Sequence, residues 1–266
     1  MKRIVTLLFV FALLTSCEEV VDVDLNTSDP RLVIEASLNR LQDGTSSSRV
    51  KLTLTGPFFN NQIPAVEDAT VEISTDNGMS FSFNHQGNGI YTNPIILEND
   101  VNYTLEIIYK GETYSATEQL VPVGNLEFVE QNNTGGFSGD EIELKAFFND
   151  PQGLGDYYFF EGVSGRGTVL DTFFDRFFDG NLIFGFYRVK DLAAGDVVTL
   201  NLYGVNAQFY DFMFVLLQQG SDQGGGPFET QPATVRGNII NQTKTDNFPL
   251  GYFRVSEVST LVYTVQ

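Results

Sequence analysis

The chain has 266 residues, with 34 acidic against 15 basic side chains and a net charge of −19. A field of that sign repels polyanions, which excludes nucleic acid and anionic lipid headgroups as partners. A hydrophobic fraction of 42%, an aromatic fraction of 13% and a single cysteine exclude disorder and leave stability to packed cores rather than disulfides.

Residues 1–16 read as a removable signal. Lys2 and Arg3 supply its positive start, and Ile4–Leu14 is an apolar run broken only by Thr6. That run is too short for a spanning helix, which needs about 20 residues. Leu14-Thr15-Ser16-Cys17 has the form of a lipobox: an apolar residue, two small ones that fit a peptidase, and a thiol to accept lipid. An ordinary secretory signal would instead strand Cys17 as a lone thiol. Two or three acyl chains, at about 0.8 kcal/mol per buried methylene, hold a protein on a membrane. Lys2 and Arg3 are the only charges of the leader, so the chain beyond it carries 13 basic against 34 acidic residues, a net of −21. Residues 17–30 form an acidic tether that opens with Glu18 and Glu19 and stops at Ser28-Asp29-Pro30.

Period-two alternation then predicts strands at Arg31–Leu38, Arg49–Thr55, Ala69–Thr75, Ser80–Asn84, Val101–Tyr109 and Glu112–Leu120. Asp43-Gly44, Asp76-Asn77-Gly78, Gly87-Asn88-Gly89 and Lys110-Gly111 punctuate them with turn chemistry. The expectation for residues 31–121 is an immunoglobulin-like β-sandwich. Val121-Pro122-Val123-Gly124 reads as a hinge. Strands are expected again at Glu141–Asn149, Asp156–Val163, Asn181–Lys190 and Asp196–Tyr203. The period then changes: Phe209, Phe212, Met213, Leu216 and Leu217 make one stripe of a helix over 206–219, capped by Asn206 and ended at Gly220. After the Gly-rich loop Ser221–Pro227 come strands near Thr234–Ile240, Gly251–Val255 and Glu257–Val265. Residues 125–266 are therefore expected as a second β-rich domain, sandwich or barrel, carrying one helix. The fold class is mainly β.

Chemistry is sparse. The one histidine, His85, sits in a turn-rich hairpin with no nucleophile motif around it, and a lipidated Cys17 leaves no thiol. Zinc and other transition metals lack ligands, so no metal and no cofactor is expected. Oxygen ligands for calcium exist in two loops, Asn149-Asp150 with Asp156 and Asp175 with Asp179 and Asn181, but neither has EF-hand spacing. Carboxylate pairs for a hydrolase can be drawn from 34 acids without any being singled out. The aromatic run Phe173-Phe174-Asp175-Arg176-Phe177-Phe178 fits neither period. Phe173, Phe174, Arg176, Phe177 and Phe178 are therefore candidate ligand or partner contacts, against a hairpin packed into its own domain.

An ordered series of short motifs resembles a known family. It comprises Cys17-Glu18-Glu19 with Val23-Asp24-Leu25, Pro30-Arg31-Leu32-Val33-Ile34-Glu35, Pro64-Ala65-Val66, Ala69-Thr70-Val71-Glu72-Ile73, Gly89-Ile90-Tyr91 and Tyr103-Thr104-Leu105. Asn149-Asp150-Pro151 with Tyr157-Tyr158, Val235-Arg236-Gly237-Asn238-Ile239 and Leu250-Gly251-Tyr252-Phe253 complete it. Together they resemble the Bacteroidota lipoprotein family known as domain of unknown function 4249, with Asp156 standing where the pattern has asparagine. The first-domain motifs also resemble the β-sandwich of carboxypeptidase-regulatory-like domains. The resemblance implies an outer-membrane lipoprotein, non-enzymatic, accessory to a TonB-dependent transporter or binding its glycan or peptide ligand. In Bacteroidota, acidic residues such as Glu18 and Glu19 after the lipidated cysteine resemble an export signal to the cell surface. A surface glycan-binding module using the Tyr and Phe clusters is the alternative, and a carboxylate hydrolase a further one.

Overall fold

A computed structural model describes residues 29–56, 63–136, 138–220 and 234–266. The leader, Cys17, Glu18, Glu19 and the Ser221–Pro227 loop lie outside the described residues, as does the tether up to residue 28. The first half supplies β1 (Leu32–Leu41), β2 (Ser46–Leu54), β3 (Thr70–Thr75), β4 (Ser80–Ser82), β5 (Asn84–Gly87), β6 (Ile90–Thr92), β7 (Asn102–Tyr109) and β8 (Glu112–Gln119). The second supplies β9 (Leu126–Gly135), β10 (Glu141–Asn149), β11 (Tyr157–Ser164), β12 (Gly167–Phe174), a 3₁₀ turn (Asp175–Phe177), β13 (Leu182–Tyr187) and β14 (Val197–Val205). The helix α1 (Ala207–Gly220), β15 (Ile240–Asn241) and β16 (Leu250–Thr264) follow. The protein is mainly β, built as sandwiches with one α-helix among the described residues.

One eight-stranded sheet, ordered β12-β11-β14-β16-β1-β2-β6-β5, runs through both halves. Its inner face is covered twice. The sheet β15-β8-β7-β3-β4 closes the first core over Ile34, Leu38, Leu52, Tyr91 and Phe253, and β13-β10-β9 closes a second over Phe148, Phe160, Leu200 and Tyr187. Even-numbered residues of β1 point into the first core, so Val33, Glu35, Ser37 and Asn39 face outward.

β16 joins the two halves. Residues Leu250–Val258 pair in parallel with β1, and Val258–Thr264 pair antiparallel with β14. The two strands expected at 251–255 and 257–265 are thus one. Both faces of β16 are buried along most of its length, which removes the polar–apolar alternation that marks a half-exposed strand. The expected hinge is also bonded along β16: Val121 N–H donates to the Val255 carbonyl (3.1 Å), and Glu257 N–H to that of Val121 (2.9 Å). The C-terminal strand therefore completes the sheet of residues 31–121.

Two further expectations change. Ser80–Asn84 is not one strand: β4 pairs with β3 and β5 with β6, in different sheets, and the chain crosses between them at buried Phe83. Thr234–Ile240 is a strand only from Ile240. Before it, the Asn238 side-chain amide stands in for backbone, donating to the Phe253 carbonyl (2.8 Å) and accepting from Phe253 N–H (3.0 Å).

The segment after β15 is tied down by Glu112 at the start of β8. Its carboxylate accepts from Lys244 Nζ (2.8 Å), the Tyr114 hydroxyl (2.8 Å), Asn241 Nδ2 (2.7 Å) and Asn247 Nδ2 (2.8 Å). Those donors, Lys244 first, hold its pKa down at about 2. A depressed carboxylate stabilises the fold above its unfolded pKa and loses that contribution as pH falls through the folded value. With the Lys244 side chain exposed, screening leaves about 1–2 kcal/mol. Urea midpoints at pH 7 and pH 3 should therefore converge more in Glu112→Gln than in the wild type; equal pH dependence in both would refute the assignment.

Candidate functional site

The helix α1 forms where the stripe begins. Asn206 Oδ1 accepts from Phe209 N–H (2.8 Å), capping one of the free first-turn donors, and its Nδ2 donates to Glu118 (2.7 Å). Burial pushes the Glu118 carboxyl up, against the donors Asn238 and Asn206. Phe209 and Met213 bury against Phe159, Tyr203, Tyr252 and Val258, on the outer face of the large sheet. The helix thus covers the β11–β14–β16 side and leaves the outer face of β1 and β2 uncovered beside it.

That step is a groove of about 620 Å³, within the range of small-molecule sites, about 300–1,000 Å³. Its wall is Phe209, Phe212, Met213 and Leu216; its floor includes Val33, Leu250 and Tyr252. At one end two arginines flank Ser37 in a single cross-strand row, Arg49 on β2 and Arg254 on β16. Strands lie about 4.8 Å apart, so the two backbones stand about 10 Å apart on one face. The next row is Lys51, Glu35 and Tyr252, with Lys51 and Glu35 paired at 3.6 Å.

Arg254 is held flat over the Tyr203 ring at 4.3 Å, and its Nη1 donates to Asn39 Oδ1 at 2.8 Å. Burial lowers its pKa, opposed by Tyr203 and Glu161, yet a guanidinium stays cationic in proteins. The Tyr203 hydroxyl donates a 2.8 Å hydrogen bond to Glu161. Among the described residues neither Arg49 nor Arg254 is in ion-pair contact with a carboxylate, whereas Arg40, Arg166, Arg188, Lys51 and Lys244 all are. Farther along the same face Arg31 and Arg236 sandwich Phe248 at 4.0 and 3.7 Å. A strip of positive charge thus borders the groove on an acidic protein.

The candidate run Phe173–Phe178 is dispersed. Phe173 turns inward against Phe148 and Tyr158, and Phe174 turns outward against Tyr157 and Tyr210 of α1. Phe178 is half-buried after the 3₁₀ turn. Only Phe177, 85% exposed, and Arg176 beside its ring face solvent freely. The run breaks both periods because β12 gives way to a 3₁₀ turn inside it.

The two oxygen-rich loops, separate in sequence, meet. Carboxylate oxygens of Asp150, Asp175 and Asp179 lie within 4.8 Å of one another. Most are already engaged: Asp150 accepts from the Tyr158 hydroxyl and Gly180 N–H (2.9 Å), Asp175 from Gly155 N–H (2.7 Å) and Asp156 N–H (3.2 Å), and Asp179 from Gly153 N–H (2.6 Å). Burial and then the charges of Asp150, Asp175 and Asp179 push the Asp156 carboxyl up. The cluster knots the loop before β11 to the turn after β12.

The family model described as a domain of unknown function, DUF4249, matches residues 18–261. The chain belongs to that family. The DUF4249 match includes both sandwich halves, α1, β16 up to Leu261 and every groove residue named above. No curated protein matches the sequence. A segment of two fibronectin type-III domains from chicken tenascin aligns over 68% of this chain and 93% of that one, at 14% identity and a TM-score of 0.20. Overlap that low carries no argument. Among the described residues of this DUF4249 protein no helix is long and apolar enough to cross a membrane.

A second aromatic feature escaped the sequence. Phe128, Phe147 and Phe184 form one cross-strand row on the solvent side of β9-β10-β13. Phe128 and Phe147 stack at 4.8 Å and 13°, and Phe184 tilts against Phe147 at 5.2 Å. The row contributes cross-strand aromatic packing on this face. The cap of α1 is directly testable. Asn206→Ala should cost about 1 kcal/mol of global stability and weaken any ligand of the groove wall; an unchanged denaturation midpoint would remove Asn206 from that role.

Proposed function

We propose that this DUF4249 chain is a non-enzymatic binding lipoprotein, anchored through Cys17 to the outer membrane and accessory to a TonB-dependent transporter. The groove between α1 and the outer face of β1 and β16 carries the binding part of this reading. An open apolar cleft of ligand size, bordered by Arg49 and Arg254, neither in ion-pair contact among the described residues, supports a binding role rather than a filled core. The leader, the lone cysteine and the acidic pair Glu18-Glu19 support the anchor and its outward address. Affinity purification of the tagged chain from native membranes tests the partnership: a β-barrel transporter should co-purify, and its absence counts against the accessory role. Cys17→Ser should move the chain from the membrane to the soluble fraction; persistence in the membrane would refute the anchor.

A further inference from the structure

We propose that the groove binds a single acyl-chain carboxylate, its hydrocarbon along Phe212, Met213 and Leu216 and its headgroup between Arg49 and Arg254. This deepens the binding role proposed above and rests on it. The apolar wall sets the body of the ligand. Phe212 and Leu216 are incompletely covered by the protein itself, and Leu216 remains 41% exposed, so a hydrocarbon chain laid beside them removes apolar surface from water.

The sign of the headgroup follows from the row Arg49–Ser37–Arg254. Arg49 makes no hydrogen bond, ion pair or ring contact within the described residues, and neither does the Ser37 hydroxyl between the two arginines. Arg254 donates to Asn39, lies over Tyr203 and feels the Glu161 charge, and it borders the groove. Arg49 and Arg254 stand on one cross-strand row, about 10 Å apart at the backbone, and a guanidinium meets a carboxylate with paired planar donors. Glu35, one row along β1, faces the same groove and is only partly neutralised by Lys51 at 3.6 Å. It disfavours a second negative charge on the ligand.

An acyl chain suits the floor better than a peptide does. The floor is the face of a sheet, with β1 bonded to β2 on one edge and β16 on the other. It presents no free backbone donors or acceptors, so a peptide lying there would leave its own amides unpaired. Hydrocarbon carries no such groups. The surrounding chain, at −19, repels anions in general, which confines anion capture to this strip.

The test uses the whole chain from residue 17, carrying Cys17→Ser to avoid detergent, and calorimetric titration with dodecanoate below its micellar concentration at pH 8. Saturable one-to-one binding is expected, with dodecanol and dodecyltrimethylammonium weaker by about tenfold or more, since each lacks a charge-assisted partner for the arginines. Arg49→Gln should weaken dodecanoate about tenfold at an unchanged melting temperature, because Arg49 is exposed and has no side-chain partner among the described residues. Leu216→Asp should abolish binding from the opposite wall. No saturable binding, equal affinity for dodecanol, or an unaffected Arg49→Gln overturns the proposal. Transporter co-purification is scored separately: dodecanoate binding without a partner overturns only the accessory role, and a partner without dodecanoate binding overturns only this site.

Discussion

Gly251→Ala is expected to cost about 4 kcal/mol or more, a large share of the roughly 5–15 kcal/mol that holds a protein folded. Gly251 has φ of +95°, a conformation that side chains tolerate poorly. A Cβ there would stand 2.1 Å from the Ile34 carbonyl oxygen, and one on Gly237 would stand 1.7 Å from the Gly251 oxygen. The obstacles are backbone, and Ile34 lies inside a strand paired on both edges, so neither can yield without breaking the β1–β16 register. Gly44→Ala is the control. Gly44 has φ of +81° but nothing within 4 Å, so it should lose only about 1–2 kcal/mol. Similar losses in urea denaturation would show that φ alone matters and that three-layer backbone contact does not.

Asp175→Ala should cost about 3 kcal/mol, the second large effect. Asp175 is 2% exposed and accepts two part-buried backbone N–H groups, so deletion empties its own buried position and strips both donors of their partner. Removing its charge offsets part of this by easing the repulsion on Asp156. Asp175→Asn keeps one acceptor oxygen and loses the charge, so it should cost less than half as much. A group whose carboxyl is pushed up stabilises the fold below its unfolded pKa and loses that contribution as pH rises through the folded value. Asp156 therefore favours the acid side, opposite to Glu112. In Asp175→Asn the Asp156 carboxyl should titrate lower by carbon-detected NMR. An unmoved Asp156 would show that the cluster charges do not act on it.

The strands most legible in the sequence were those with one wet face. Glu141–Asn149 was found residue for residue as β10, and Val71-Glu72-Ile73 alternates in β3 as its pattern says. β9 was missed because Glu127, Glu130, Gln131, Asn132 and Asn133 give it almost no apolar face; pairing with β10 holds it in place. β16 was cut in two for the opposite reason, since helix and core bury both its faces. The stripe of α1 was readable to within a residue, including its cap. The groove was not, because it exists only where Ser37, Arg49 and Arg254 become neighbours, and a parallel pairing across more than 200 residues leaves no local trace. The Phe173–Phe178 run drew notice for its composition, and its five named residues are split among inner core, helix contact, turn and solvent.

The position of β16 also fixes when folding can finish. β1 waits for a partner more than 200 residues further along: Val33 pairs with Leu250 and Leu41 with Val258. Until those last residues arrive, β1 exposes an unpaired edge, and the second core lacks Leu261 and Tyr263. Such distant pairing makes folding slow and late. The two cores therefore close together, each waiting on its own half of β16.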